Sequence, residues 1–199
     1  MKTRPKIGIY AGTFDPVHAG HITFAIQSLS AAGLNKVYFL PERRPRQKKG
    51  VEHFAHRVAM LKSALKPYPE FEVMEMVDIS FSSEYTLPRL KSQLPDVELV
   101  YLFGSDVVKG MDQWPGVAGL LKNTELVIGL RFQDDRDAIH KTIEGWKTQP
   151  KAVTVINSFA PKVSSGKVRQ ALRQHETAEG MLKSVERYSN RHWLYVSLS

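Results

Sequence analysis

The chain has 199 residues, with 28 Lys and Arg against 20 Asp and Glu, a formal net charge of +8 and no cysteine. The missing cysteines exclude disulfides and thiolate chemistry, and no apolar run approaches the roughly 20 residues needed to span a bilayer. The length suits one domain with a sizeable core, and no signal-peptide core follows Met1 to Lys6, so a soluble, cytoplasmic protein is expected.

In chain order, Ile7 to Ala11 is an apolar run that reads as a buried strand. It is followed by Gly12-Thr13-Phe14-Asp15-Pro16-Val17-His18-Ala19-Gly20-His21 and then by Ile22, Ala25, Ile26 and Leu29, spaced as one face of a helix. A glycine-opened turn that ends at a helix N-terminus offers backbone N–H groups and the positive end of the helix dipole to an anion. His18 and His21, three apart, share one side of that first turn, where ring nitrogens donate to a phosphate. Two such histidines also make half a metal site, but no cysteine and no carboxylate one turn away complete it. Asp15, beside Pro16, reads as a turn-bonding residue rather than a catalyst.

Val37 to Leu40 reads as a second strand, and Phe54 to Leu65 as a helix with Val58, Leu61 and Leu65 on its apolar face. Phe71 to Val77 reads as a strand, Leu87 to Leu94 as a helix, and Val97 to Phe103 as a strongly apolar strand ending in Gly104-Ser105-Asp106. A helix over Val117 to Leu121, a strand at Leu126 to Leu130, a polar helix near Asp135 to Trp146 and a strand at Val153 to Ile156 follow. Strands alternating with helices predict an α/β fold, a Rossmann-like doubly wound parallel sheet, here with a small C-terminal helical segment. The expected division is one domain over 1–199, with a core at 1–160 and a helical part at 161–199. In such sheets ligands bind outside the carboxyl ends of the strands. The Gly12 to His21 turn, the 41–50 loop, Asp106 and the segment after Ile156 all follow predicted strands and should converge on one edge.

The charge is concentrated. Residues 41–50 hold Arg43, Arg44, Arg46, Lys48 and Lys49 against Glu42, and residues 161–173 hold Lys162, Lys167, Arg169 and Arg173 with no acid, leaving 19 basic against 19 acidic residues elsewhere. Two short basic segments suggest polyanion sites rather than a diffuse nucleic-acid surface, and residues 41–50 contain no aromatic side chain to stack a base. The second segment opens a helix at Ser164 or Ser165, both good N-cap residues.

The first motif resembles the Gly-x-Phe-Asp-Pro-x-His-x-Gly-His signature of the nucleotidyltransferase superfamily of class I aminoacyl-tRNA synthetase-like α/β enzymes, specifically the nicotinate mononucleotide adenylyltransferases. Val163-Ser164-Ser165-Gly166-Lys167-Val168-Arg169 is similar to the Ile-Ser-Ser-Thr-x-Ile-Arg motif of that family, with Gly166 in place of the threonine. Asp106, Trp114 eight residues on and Arg131 at the end of the next strand also match. So does Tyr85-Thr86-Leu87. Other positions depart: Pro45-Arg46-Gln47-Lys48 lacks the usual histidine, Ala11-Gly12 replaces a glycine pair, and Arg89 stands where a threonine is common. Tyr188 to Tyr195 resembles the closing pattern of the family and is read as packing.

The resemblance implies ATP binding by Gly12, Thr13, Phe14, His18, Gly20, His21, Lys48, Gly104, Asp106, Ser164, Ser165 and Arg169. It places the acceptor against Tyr85, Thr86, Asp106, Trp114 and Arg131, with Trp114 stacked on the pyridine. The implied reaction transfers the adenylyl group of ATP to nicotinate mononucleotide and releases pyrophosphate, with catalytic roles for His18, His21, Lys48 and Arg169. The attacking 5′-phosphate is largely dianionic near neutral pH and needs no general base, so positioning and electrostatic stabilisation dominate. Mg²⁺ is expected to arrive with ATP rather than in a protein cage. No nucleic acid or membrane partner is expected, and a homo-oligomer stays open. So do another phosphorylated acceptor, nicotinamide mononucleotide or phosphopantetheine among them, and a non-catalytic nucleotide-binding protein.

Overall fold

Strands buried on both faces need apolar side chains in both directions, and this chain supplies them as near-continuous runs. In β4 (Glu98–Gly104), Tyr101 and Phe103 enter one core while Val100 and Leu102 enter the other. The computed structural model describes residues 4–46, 48–131, 134–157, 163–174 and 176–196. Among them β1 (Lys6–Gly12) pairs in parallel with β2 (Lys36–Pro41) on one side and with β4 on the other. β3 (Phe71–Val73), β5 (Glu125–Leu130) and β6 (Ala152–Asn157) complete a six-stranded sheet of order β3-β2-β1-β4-β5-β6. The order reverses between β1 and β4, which is where the doubly wound architecture opens its ligand crevice.

Helices cover both faces. α1 (Ala19–Ala32), α2 (Phe54–Leu65), α7 (Ser165–Gln174) and α8 (Lys183–Arg191) bury Ile22, Phe24, Met60, Leu61, Val168, Leu172 and Val185 with Val37, Phe39, Val100, Leu102 and Val127. On the other face α3 (Thr86–Gln93), a 3₁₀ turn (Ser105–Val107) running into α4 (Val108–Met111), α5 (Val117–Leu121) and α6 (Arg136–Glu144) bury Leu87, Leu90, Val108, Met111, Leu120, Leu121, Ile139 and Ile143. Gly129 sets the distance between α1 and the sheet: a Cβ there would stand 2.6 Å from the Phe24 ring.

The alternating pattern therefore holds, with two differences. The strand expected at Phe71 to Val77 ends at Val73, because Pro41 closes β2 and Phe39 with Val73 is the last register pair. Beyond it the backbone is captured elsewhere: Arg43 Nε donates to Met76 O at 3.0 Å and Arg44 N–H to Ile79 O at 2.8 Å. The helical turns from Ser105 to Met111 have no counterpart among the expected elements, being too short to show a period.

Candidate active site

The carboxyl ends of β1, β2, β4 and β5 and the start of α7 surround one cavity of about 1330 Å³. The expected convergence on one edge is what the structure shows: residues 12–15, His18, Gly20 and His21 line it with Lys48, Gly104, Asp106, Trp114, Arg131, Ser164, Ser165 and Arg169. Six basic and four acidic side chains face it, so the cavity is net positive.

The histidine pair is held by its own backbone. His18 is the N-cap of α1 in extended conformation, φ −144° and ψ 170°, and its N–H donates to His21 Nδ1 at 3.2 Å. With Nδ1 accepting, the neutral His21 ring carries its proton on Nε2, which is then the donor left for a ligand. The two rings lie 3.8 Å apart, centre to centre, tilted by 32°. Beneath them Phe14 is 1% exposed and sits in the left-handed region at φ 49°, its ring 5.1 Å from that of His21. Gly12 admits that ring: a Cβ there would stand 3.0 Å from it. Phe14 thus supports His21 from below, and Gly20 lines the cavity at the start of the helix.

Burial first, and then the Arg131 charge, lowers the His18 pKa to about 4. His21 is pushed down by burial, followed by His18, Lys48 and Arg131. Both rings are therefore neutral donors at pH 7. The linkage has a definite sign. From about pH 6.5 downward the unfolded chain binds a proton that folded His18 refuses until about pH 4, so stability present above 6.5 is lost across that window. The thermal midpoint should fall faster from pH 6.5 to 4 in the wild type than in His18→Gln. Parallel curves would show that His18 titrates normally in the folded protein.

Around the pair, Lys48 Nζ donates to Thr13 Oγ1 at 2.8 Å, and Arg131 Nη2 to Asp106 Oδ2 at 2.9 Å. Arg169 Nη1 donates to Asp15 O at 2.6 Å, and Ser165 Oγ to Pro16 O at 3.0 Å. Ser164 caps α7 by accepting Lys167 N–H at 3.3 Å, as its residue type predicts. A Cβ at Gly166 would meet nothing nearer than Ser164 Oγ at 3.8 Å, so space does not require the glycine.

Not every basic residue of the two segments serves the cavity. Arg46, Lys48, Lys49, Lys167 and Arg169 line it, while the Arg43 guanidinium lies 4.6 Å over the Phe54 ring. Gln47 and Lys162 lie outside the described residues.

On the far side, Trp114 is half-buried, edge-on to Phe103 at 5.7 Å, and borders a second cavity of about 470 Å³ that Tyr85 and Arg89 also line. Thr86 departs from its expected role. It is 1% exposed and lines neither cavity; its N–H donates to Ser82 O at 2.9 Å and its hydroxyl accepts Ser82 N–H at 3.0 Å. The helix start needs those groups, so Tyr85 alone of that pair reaches the cavity.

Sequence reasoning missed Arg57. On α2 it is 1% exposed, with Nε donating to Glu52 O at 2.9 Å, Nη1 to Thr13 O at 2.6 Å, and Nη2 to Glu42 O at 2.8 Å and Arg43 O at 3.1 Å. One guanidinium thus ties the motif turn to the 41–50 loop. The one signal in the sequence is an arginine four residues before Leu61, on the buried face of an amphipathic helix.

Residues 9–171 match the sequence profile of the cytidylyltransferase-like family. A probable nicotinate-nucleotide adenylyltransferase of Carboxydothermus hydrogenoformans is 33% identical over 85% of this chain and 87% of its own length. The chain belongs to the nicotinate-nucleotide adenylyltransferase branch of that family. A member from Neisseria meningitidis, also described as probable, is 28% identical over 96% of this chain and 98% of that one. The fold agrees with the Plasmodium falciparum nicotinic acid mononucleotide adenylyltransferase complexed with NaAD, at a TM-score of 0.78 and 19% identity over 98% and 100% of the two chains. Like that neighbour, this adenylyltransferase-family chain is a parallel α/β sheet enzyme. Among its described residues no helix is long and apolar enough to cross a membrane.

Proposed function

We propose that this chain transfers the adenylyl group of ATP to nicotinate mononucleotide, forming the deamido-NAD dinucleotide and pyrophosphate. The observation that carries the reading is the close His18–His21 pair at the N-terminus of α1, facing a net positive cavity with Trp114 at its far end. An oxygen of the mononucleotide 5′-phosphate attacks the α-phosphorus of ATP, and the bond from that phosphorus to the bridging oxygen of pyrophosphate breaks. His21 Nε2–H and the His18 ring donate to the oxygens that gain charge. Lys48 and Arg169 hold the β- and γ-phosphates, and Thr13 and Ser164 serve as hydroxyl partners. Such fixed donors act where charge develops, which is how proteins chiefly accelerate phosphoryl transfer.

Mg²⁺ is proposed to travel with the triphosphate. Mg²⁺ bound with a nucleotide keeps phosphate and water ligands and needs few protein ones. It would neutralise phosphate charge. The acceptor lies against Trp114 and Tyr85, with Asp106 and Arg131 between the two nucleotides.

Product analysis with MgATP and each pyridine mononucleotide tests the reading, with the dinucleotide expected from the nicotinate form. Preferential use of the nicotinamide form would overturn the acceptor and leave the reaction standing. Trp114→Ala should weaken the mononucleotide by about 1–3 kcal/mol, the scale of stacking on an aromatic, with ATP affinity nearly unchanged. Equal weakening of both substrates would place Trp114 in the packing of the sheet edge instead.

A further inference from the structure

Tyr195 is buried, at 9% exposure, in a turn after α8, and its place in the hydrophobic core on that side of the sheet would by itself account for that. Its hydroxyl says more: it donates at 2.7 Å to Asp15 Oδ1, across 180 residues of sequence. Asp15 is 3% exposed and stands inside the motif turn. Its Oδ1 also accepts Glu52 N–H at 3.3 Å, and its Oδ2 lies 3.6 Å from Arg169 Nη1, the same nitrogen that donates to Asp15 O at 2.6 Å. The turn that presents Tyr195 is itself constrained. Tyr195 has φ 63°, a left-handed conformation uncommon for an aromatic residue, and Ser189 fixes the preceding residue twice, Oγ donating to Leu194 O at 3.1 Å and O accepting Leu194 N–H at 3.0 Å.

A carboxylate beside a triphosphate site opposes the ligand unless its charge is engaged. We infer that Tyr195 is a positioning residue of the nucleotide site: by anchoring one oxygen of Asp15 it sets how far the other draws Arg169, and so aims the rest of that guanidinium at the cavity. Burial and the neighbouring Asp15 charge raise the phenol pKa, so the hydroxyl stays protonated and donates at every working pH. Without it, Oδ1 keeps the single long bond from Glu52, and Asp15 takes more of Arg169. The effect should reach ATP and spare the acceptor.

This inference rests on the assignment of Arg169 to the triphosphate. The test is Tyr195→Phe, which keeps the ring, assayed well below its own thermal midpoint with both substrates varied, and with MgATP binding measured at equilibrium. Loss of one hydrogen bond to a charged group should raise the ATP KM and the MgATP Kd roughly 3- to 10-fold, with kcat within about twofold and the acceptor KM unchanged. In an Arg169→Ala background the substitution should have no further effect on ATP. Additive effects in that cycle, or equal loss towards both substrates, would reduce Tyr195 to packing. An Arg169→Ala protein that binds MgATP normally would defeat the assignment of Arg169 itself. If Arg169→Ala weakens ATP while Tyr195→Phe does not, the inference alone falls.

Discussion

Replacing His21 with alanine is expected to lower kcat by about 10²- to 10³-fold while the protein stays folded, the scale for removing one preorganised donor from a developing charge. The side chain does two things at once. Its Nδ1 accepts the His18 N–H at 3.2 Å, which caps α1, and that bond leaves the proton on Nε2 for a ligand. Alanine removes both, but the cap is one hydrogen bond at a helix end and costs about 1 kcal/mol, small against the loss in rate. His21→Gln should restore some capping and little turnover. The double variant His18→Ala/His21→Ala should be no worse than a few-fold below the poorer single variant, because the two rings, 3.8 Å apart, are assigned to the same phosphate oxygens. A folded double variant with near wild-type kcat would sink the mechanism.

The largest stability effect is expected at Arg57. Arg57→Ala removes the donor from four backbone carbonyls, those of Thr13, Glu42, Arg43 and Glu52, and empties a site that is 1% exposed. Burial lowers the pKa of this guanidinium without unloading its proton, so the four bonds are charge-assisted. The expected loss is about 3 kcal/mol or more, roughly 6–12 °C in thermal midpoint for a chain of this size. Arg57→Lys should recover little, since one ammonium cannot span four acceptors that a planar fork reaches. An unchanged midpoint for Arg57→Ala would mean that these carbonyls find water at no cost.

Much of this is legible in the sequence because the physics is local. Parallel strands covered on both faces must be apolar along their length, so β1, β4 and β5 announce themselves, and the glycine turn with two histidines announces the helix start. The proposed phosphate end follows from the two basic segments and the family resemblance, which single out Lys48 and Arg169. What stays hidden depends on backbone partners that only the fold supplies. Met76 and Val77 extend an apolar pattern but lose their ladder once Pro41 ends β2, and the Thr86 N–H is taken by Ser82 O. Arg57 and Arg43 carry the same charge as Lys48; the buried helix face marks Arg57 alone, and nothing in the sequence around Arg43 distinguishes a brace from a ligand. Tyr195 reads as packing because a hydroxyl's partner 180 residues away leaves no mark on its own segment.

The motif turn after β1 is tied first by Lys48, Glu52 and Arg57, and again by residues made much later. Ser165 bonds Pro16 at a separation of 149, Arg169 bonds Asp15 at 154 and Tyr195 bonds Asp15 at 180. During synthesis, which proceeds from the N-terminus, the turn exists long before any of these partners has been made. The first five strands and their helices are complete by residue 144, so a nascent chain holds most of its sheet while Asp15 is still without Arg169 and Tyr195. Pairings this distant in sequence also form slowly, because loop closure precedes the contact that stabilises it. Nucleotide affinity should therefore arrive as a late step in the chain's maturation, after the sheet has formed.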